Sequence, residues 1–211
     1  MIELRPLGIE DYVERYSKPL SSSLEKLWLE TFNMGHSTKM MGWALEAEFL
    51  KMLVLMTGAR RIMQLGLFTG FSALAFAEAL PRGGTVIACD TNRETTDFAK
   101  HYFAETQHGE KIQLKLLPAL TFLKVVTGPF DICHINADRE NYGAYYDACV
   151  DLVRPRGLIV IDNMVQSGKV LDPRDPGVAE VNALNKKIRD DARVENVLLP
   201  VRDGLMLVYK V

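Results

Sequence analysis

The segment Gln64-Leu65-Gly66-Leu67-Phe68-Thr69-Gly70-Phe71-Ser72 reads as a glycine-punctuated turn between an apolar strand and an alanine-rich helix. Glycine there lets the backbone approach a ligand, and the helix that follows begins with unpaired N–H groups. Such a turn builds a nucleotide-type pocket at the end of a strand. Asp90 closes the next apolar run, Thr85–Cys89. It sets a carboxylate where ribose hydroxyls would lie, the logic of an adenosine site. The turn is G-x-x-x-G. It lacks the third glycine of a dinucleotide fingerprint, which disfavours a nicotinamide oxidoreductase, and it lacks the Lys-Ser/Thr of a P-loop. The bland alternative is a strand-to-helix connection that simply needs two glycines.

The surrounding elements must hold these residues. Ser22-Ser23-Leu24-Glu25 reads as a capping box opening a helix to about Phe32, and Leu45–Thr57 as a second amphipathic helix ended by Gly58. Strands are expected at Arg61–Leu65, Thr85–Cys89, Ile112–Leu117, Phe130–Ile135 and Leu158–Ile161. Helices are expected at Ser72–Leu80, Glu94–Glu105, Leu120–Val126, Tyr142–Leu152 and Val178–Asp190. Asn163–Pro176 reads as a long loop beside the site. Val194–Leu199 and Leu205–Tyr209 flank Asp203-Gly204, a hairpin signal. Strands alternating with helices give an α/β fold, a parallel sheet with right-handed crossovers and helices on both faces. The final hairpin adds an antiparallel strand. Residues 1–57 form an N-terminal helical cover, and 58–211 a Rossmann-like core, in one domain.

The 211 residues suffice for one domain with a sizeable core, and 48% of them are apolar. A net charge of −2, with both signs mixed, gives no reason to expect nucleic-acid binding. Neither a transmembrane stretch nor a signal-peptide pattern is present, so no membrane association is expected. Cys89, Cys133 and Cys149 have no metal spacing and read as reduced core thiols, which points to a cytoplasmic setting.

The chain resembles the class I S-adenosylmethionine-dependent O-methyltransferases of the caffeoyl-CoA/catechol type. The resemblance runs from about Met40 to the C-terminus. It is carried by LGLFTGFSAL (Leu65–Leu74), ALPRGGTVIACD (Ala79–Asp90), FDICHINADRENYGAYYD (Phe130–Asp147), LVRPRGLIVIDNMVQSGKV (Leu152–Val170), DARVENVLLPVRDGL (Asp191–Leu205) and the closing strand, in that order. It implies a seven-stranded sheet with an antiparallel last strand, and S-adenosylmethionine lying over the ends of the first two strands. Gly66 and Gly70, with Phe68 between them, would admit the methionine portion. Ser72 would bind its carboxylate near a helix N-terminus, Asp90 would pair with the ribose, Ala119 would lie beside the adenine, and Met40 would cover the cofactor. A homodimer is also implied.

The resemblance further implies a divalent cation, Mg or Ca, held by an Asp after the fourth strand and an Asp-Asn pair after the fifth. Here Asp162-Asn163 are present, but the first position is Asn136, so the ligand set loses a charge and affinity should fall. The family's lysine base is replaced by Arg139, whose guanidinium stays protonated and serves as an electrostatic stabiliser instead. A family acid is replaced by Gln64, a neutral acceptor for the cofactor's ammonium. Asn136, Arg139 and Asp162 are thus the candidate catalytic set, with Asn136 also near the cofactor. His134 shares a strand face with Asn136, as a deep base or, more simply, a packed core histidine. His36 is another candidate, with a solvated loop residue as its simpler reading. Gln166 stands where the family has a stacking aromatic. The loop from Gln166 to Pro176 should still line the acceptor cleft, with Trp43, Tyr142 and Tyr146 as further possible walls; for the two tyrosines, core or dimer packing is the simpler role. Lys169 and Arg174 are ordinary loop charges. The expected reaction is methyl transfer to a hydroxyl of a small aromatic or secondary-metabolite acceptor, with weakened or absent metal dependence. The alternative is a non-catalytic cofactor-binding member acting as a partner subunit.

Overall fold

The computed structural model describes residues 8–35, 44–172, 174 and 178–211. Three helices come first: α1 (Ile9–Tyr16), α2 (Ser22–Asn33) and α3 (Ala44–Thr57). The alternating unit follows as β1 (Arg61–Leu65), α4 (Phe71–Ala79), β2 (Thr85–Asp90), α5 (Arg93–Ala104), β3 (Ile112–Leu116), α6 (Ala119–Leu123), β4 (Phe130–Ile135), α7 (Tyr142–Leu152) and β5 (Val153–Ile161). The chain closes with α8 (Ala179–Arg189), β6 (Val194–Leu199) and β7 (Leu205–Lys210). The seven strands pair in the order β3-β2-β1-β4-β5-β7-β6. β1 to β5 pair in parallel, while β7 runs antiparallel to both β5 and β6.

Period-two alternation divides the core. Ile62, Val86, Ile132 and Val160 face one layer, packed by α2, α3, α4 and α5. Met63, Leu65, Cys133, Ile135 and Ile159 face the other layer, with Tyr142, Tyr145 and Tyr146 of α7 and Val181, Leu184 and Ile188 of α8. Gln64 pairs with His134 across β1 and β4, so alternation puts both on the first face. In α4, Ala73, Ala75 and Ala77 are fully buried. Their small side chains let α3 pack closely on α4. α3 contributes a stripe at helical spacing, Ala47, Leu50, Leu53 and Val54, and Glu46 begins that same buried stripe.

The cap of α2 lies one residue before the expected capping box. Ser21, not Ser22, accepts the Leu24 N–H at 3.1 Å. Three consecutive serines offer the same chemistry; Ser21 is the one whose hydroxyl also donates to Glu78 on α4. The expected 112–117, 120–126 and 158–161 segments become Ile112–Leu116, Ala119–Leu123 and Val153–Ile161.

Candidate active site

At the carboxyl ends of the central strands the backbone ladder runs on past the sheet. Gly66 N donates to Cys89 O at 3.0 Å, Asn136 N to Leu65 O at 2.9 Å and Asp162 N to Ile135 O at 3.0 Å. A pocket of about 440 Å³ lies over this rim, a size suited to a small ligand. One half is built by the turn after β1 and the end of β2. The other is built by the segments after β4 and β5, the β6–β7 hairpin, and the inner faces of α2 and α3.

In the first half, Asp90 organises the turn. Its Oδ2 accepts the N–H groups of Leu67 at 2.7 Å and Phe68 at 2.9 Å, and its Oδ1 accepts Asn92 N–H at 2.9 Å. A carboxylate has about four lone-pair sites and three are taken, so one acceptor site remains for a hydroxyl in the pocket. Phe68 sits at φ +54, a costly conformation that these two hydrogen bonds help hold. Gly66 lines the pocket at φ +83, and a Cβ on it would meet the Asn136 carbonyl oxygen at 2.0 Å. Its glycine is needed to pass the end of β4. Gly70, at φ +90, is absent from the pocket lining among the described residues; a Cβ there would strike the Phe103 ring at 2.3 Å. Its glycine is needed for the close packing of the Phe103 ring of α5. Ser72 lies in the first turn of α4 and Ala119 opens α6; both line the pocket. Gln64 is 2% exposed, and its Nε2 donates to Gly66 O at 2.8 Å. That contact fixes the amide orientation and leaves Oε1 as a buried acceptor with no partner.

In the second half, Asn163, at φ +65, donates through Nδ2 to Asn136 Oδ1 at 2.9 Å. Asp162 Oδ2 lies 3.1 Å from His134 Nε2, and its Oδ1 is buried without a partner. His134 is fully buried with the edge of its ring system against Phe76, ring centroids 5.4 Å apart, so it supports Asp162 from beneath. Arg139 lines the pocket and makes no ion pair among the described residues. Glu46 reaches in from α3, and Arg202 Nη1 from the hairpin donates to its Oε2 at 2.6 Å. Burial, and then the facing Asp162, raise the Glu46 carboxyl to about 7, against the opposing pull of Arg202 and His134.

The family model for O-methyltransferase matches residues 14–211. The chain belongs to this O-methyltransferase family. It is 39% identical over 173 residues to the Mus musculus catechol O-methyltransferase domain-containing protein 1, covering 79% of this chain and 66% of that one. It is 38% identical over 180 residues to caffeoyl-CoA O-methyltransferase 2 of Zea mays, covering 79% and 68%. Among solved structures, the O-methyltransferase from Bacillus cereus in complex with SAH matches with a TM-score of 0.88 and 26% identity, covering 97% of each chain.

The donor set of this O-methyltransferase does not fit a resident divalent cation. Mg²⁺ and Ca²⁺ want several oxygen ligands with negative charge. Here one hydrogen bond already joins the two amides, Asp162 is the one charged member of the three expected ligands and turns its Oδ2 to His134, and a guanidinium lines the same pocket. No group of three His, Cys, Asp or Glu side chains is placed to hold a metal among the described residues.

Several expectations for the acceptor side change. No described residue of the 164–176 segment lines the pocket. Gln166 is buried, and the Val165 and Gln166 N–H groups both donate to Asp203 O. The segment buttresses the β6–β7 hairpin from behind, and the hairpin supplies the wall. Lys169 and Arg174 are exposed. Tyr142 and Tyr146 are buried in the opposite layer and are core, not walls. All three cysteines are free and buried, and burial pushes the Cys89 thiol up to about 12. His36, Met40 and Trp43 lie outside the described residues.

Five contributors were not read from the sequence. Glu46 betrays itself only as a charge on an otherwise apolar helical stripe. Asp138, two residues after Asn136, lines the pocket and accepts the Tyr145 hydroxyl at 2.6 Å. The Thr31 hydroxyl donates to Leu27 O and is hydrogen-bonded to the Thr69 hydroxyl at 3.0 Å, pinning α2 to the glycine turn, with Trp28 also lining the pocket. Arg202 carries no local signal.

Proposed function

We propose that this chain transfers a methyl group from S-adenosylmethionine to a hydroxyl of a small phenolic acceptor without a resident metal ion. The observation that carries this reading is Asp90: a rim carboxylate clamped to the glycine turn, with acceptor capacity left over the pocket. Asp90 would take a ribose hydroxyl, and Ala119 would lie against the adenine. Ser72 and the α4 N-terminus would meet the methionine carboxylate. The orphaned Gln64 Oε1 would accept from the ammonium, and Asp138 would supply the negative charge that Gln64 lacks. Met40 is carried over from the resemblance alone, as a cover.

When bound, the sulfonium supplies an activated methyl group for in-line displacement, so positioning does much of the work. Asn136 and Asn163, locked to one another, would form a neutral polar floor for the acceptor. Arg139 would stabilise the developing phenolate. We also propose a homodimer, supported by exposed apolar residues on α2 and α3: Leu29, Phe32, Met52, Leu55 and Met56. A cytoplasmic setting is supported by the three buried free thiols. No described helix is long and apolar enough to cross a membrane.

Calorimetry with S-adenosylhomocysteine tests the cofactor reading. Methyl transfer to 3,4-dihydroxybenzoate and caffeate, with and without EDTA, tests the rest. Binding with EDTA-insensitive turnover is expected. No affinity for either S-adenosyl compound would overturn the reading.

A further inference from the structure

We propose that Glu46 is the catalytic base that takes the proton of the acceptor hydroxyl. This deepens the phenol-methyltransferase reading and rests on it. The reaction releases a proton from the acceptor hydroxyl, and Arg139, which lines the pocket, is a cation that cannot accept it. His134 is fully buried beneath Asp162 and absent from the pocket lining among the described residues, so it does not reach an acceptor.

Glu46 has the placement the role requires. It lines the pocket from α3, and its residue is 7% exposed. One oxygen, Oε2, is held by Arg202 Nη1 at 2.6 Å. The other, Oε1, has no hydrogen-bond partner among the described residues. One oxygen anchored and one open is the arrangement of an oriented proton acceptor. The anchor is itself firmly set. Arg202 stands at φ +50 in the hairpin, a conformation non-glycine residues seldom take, and the next two hairpin residues are tied to the 164–166 segment through Gly204 O and Asp203 O. The ion pair therefore spans α3 and the hairpin as a fixed strut across the acceptor half.

The charged groups that face Glu46 are Arg202 from the hairpin, Asp162 from the end of β5 and His134 from β4. Burial and Asp162 raise its carboxyl to about 7, where a general base is most effective at neutral pH. In the step itself the acceptor O–H bond breaks as its proton passes to Glu46 Oε1. The freed oxygen electron pair forms the bond to the methyl carbon. The S–CH₃ bond breaks, its electrons return to sulfur, and the sulfonium becomes a neutral thioether. Glu46 then returns its proton to water.

The test uses the full chain, S-adenosylmethionine, and 3,4-dihydroxybenzoate and caffeate as probes. The kcat of the wild type should climb with pH and level off above about 7, as Glu46 ionises. Glu46→Gln should lose roughly 10²–10⁴-fold in kcat and lose that limb, with S-adenosylhomocysteine affinity unchanged. Should Glu46→Gln fail to fold, Arg202→Met decides. Removing the guanidinium that favours the ionised carboxylate should move the limb to higher pH. A Glu46→Gln enzyme within about threefold of wild type, or an Arg202→Met profile that does not move, overturns the proposal. Cofactor binding with no turnover of either phenol also overturns it. Absent cofactor affinity would instead strike the functional reading beneath it.

Discussion

Asp90 and Asp131 are wired almost identically at opposite ends of the sheet. Asp90 takes two consecutive backbone N–H groups, Leu67 and Phe68, on Oδ2 and a third donor on Oδ1. Asp131 takes Arg60 and Arg61 N–H on Oδ2, both at 2.8 Å, and Arg154 Nε on Oδ1 at 2.6 Å. The difference is the third donor and the surroundings. Asp131 is closed by a guanidinium and lies outside the pocket, so its charge is spent on holding β1, β4 and β5 together. Asp90 has no cationic partner among the described residues and faces the pocket. A carboxylate clamp is thus ordinary architecture, and the unspent acceptor capacity over a cavity is what makes one of the two a site.

The same contrast holds for the arginines. Arg154 is consumed by Asp131, whereas Arg139 at the other end lines the pocket unpaired among the described residues. Asp131 and Arg154 at the amino end satisfy one another, whereas Asp90 and Arg139 at the carboxyl rim have no ion-pair partner among the described residues.

Substitutions that exchange these roles would break the comparison. Asp90→Ala should have the largest effect, weakening S-adenosylhomocysteine binding by roughly 100-fold or more in calorimetry, because the charge-assisted hydrogen bond to the ribose is lost. Asp131→Ala should leave that affinity within about twofold but cost about 2 kcal/mol of stability, seen as a Tm lower by roughly 4–8 °C. The acid limb sharpens this test. The Asp131 carboxyl is held below its ordinary 3.8, against the cost of burial, by Arg154 and the two backbone N–H groups. Its contribution is therefore present above 3.8 and lost as pH falls through the lower native value, and the variant should lack that loss. Arg139→Met should reduce kcat/KM by about tenfold in phenol assays with no change in Tm. Asn136→Asp should have the smallest effect. It restores one charge to the cation ligand set, and measurable EDTA sensitivity should emerge while cofactor affinity holds.

Much of this end-to-end contrast could be read from the sequence, and the misses have physical causes. The turn, Asp90 and the β1 and α7 boundaries were legible because glycine, acidic and apolar residues punctuate them sharply. The cap of α2 slipped by one residue because three serines are chemically equivalent and only the contact with Glu78 on α4 separates them. The packing role of Gly70 was silent because nothing local announces the Phe103 ring thirty-three positions later. The described part of the segment after Asn163 packs behind the hairpin, which proline and aspartate could not announce because they mark a loop without saying which neighbour it supports; Asp203 O captures the Val165 and Gln166 N–H groups. Glu46 and Arg202 are 156 residues apart in the chain and meet only after folding. Periodicity exposes one as an oddity and leaves the other silent.

The central claim is that the donor's ribose is held at the rim by Asp90. A crystal structure of the chain with S-adenosylhomocysteine tests it directly. The account predicts a ribose hydroxyl within hydrogen-bonding distance of the Asp90 carboxylate and the sulfur directed toward Asn136 and Arg139. A ligand seated with its ribose away from Asp90 would contradict it.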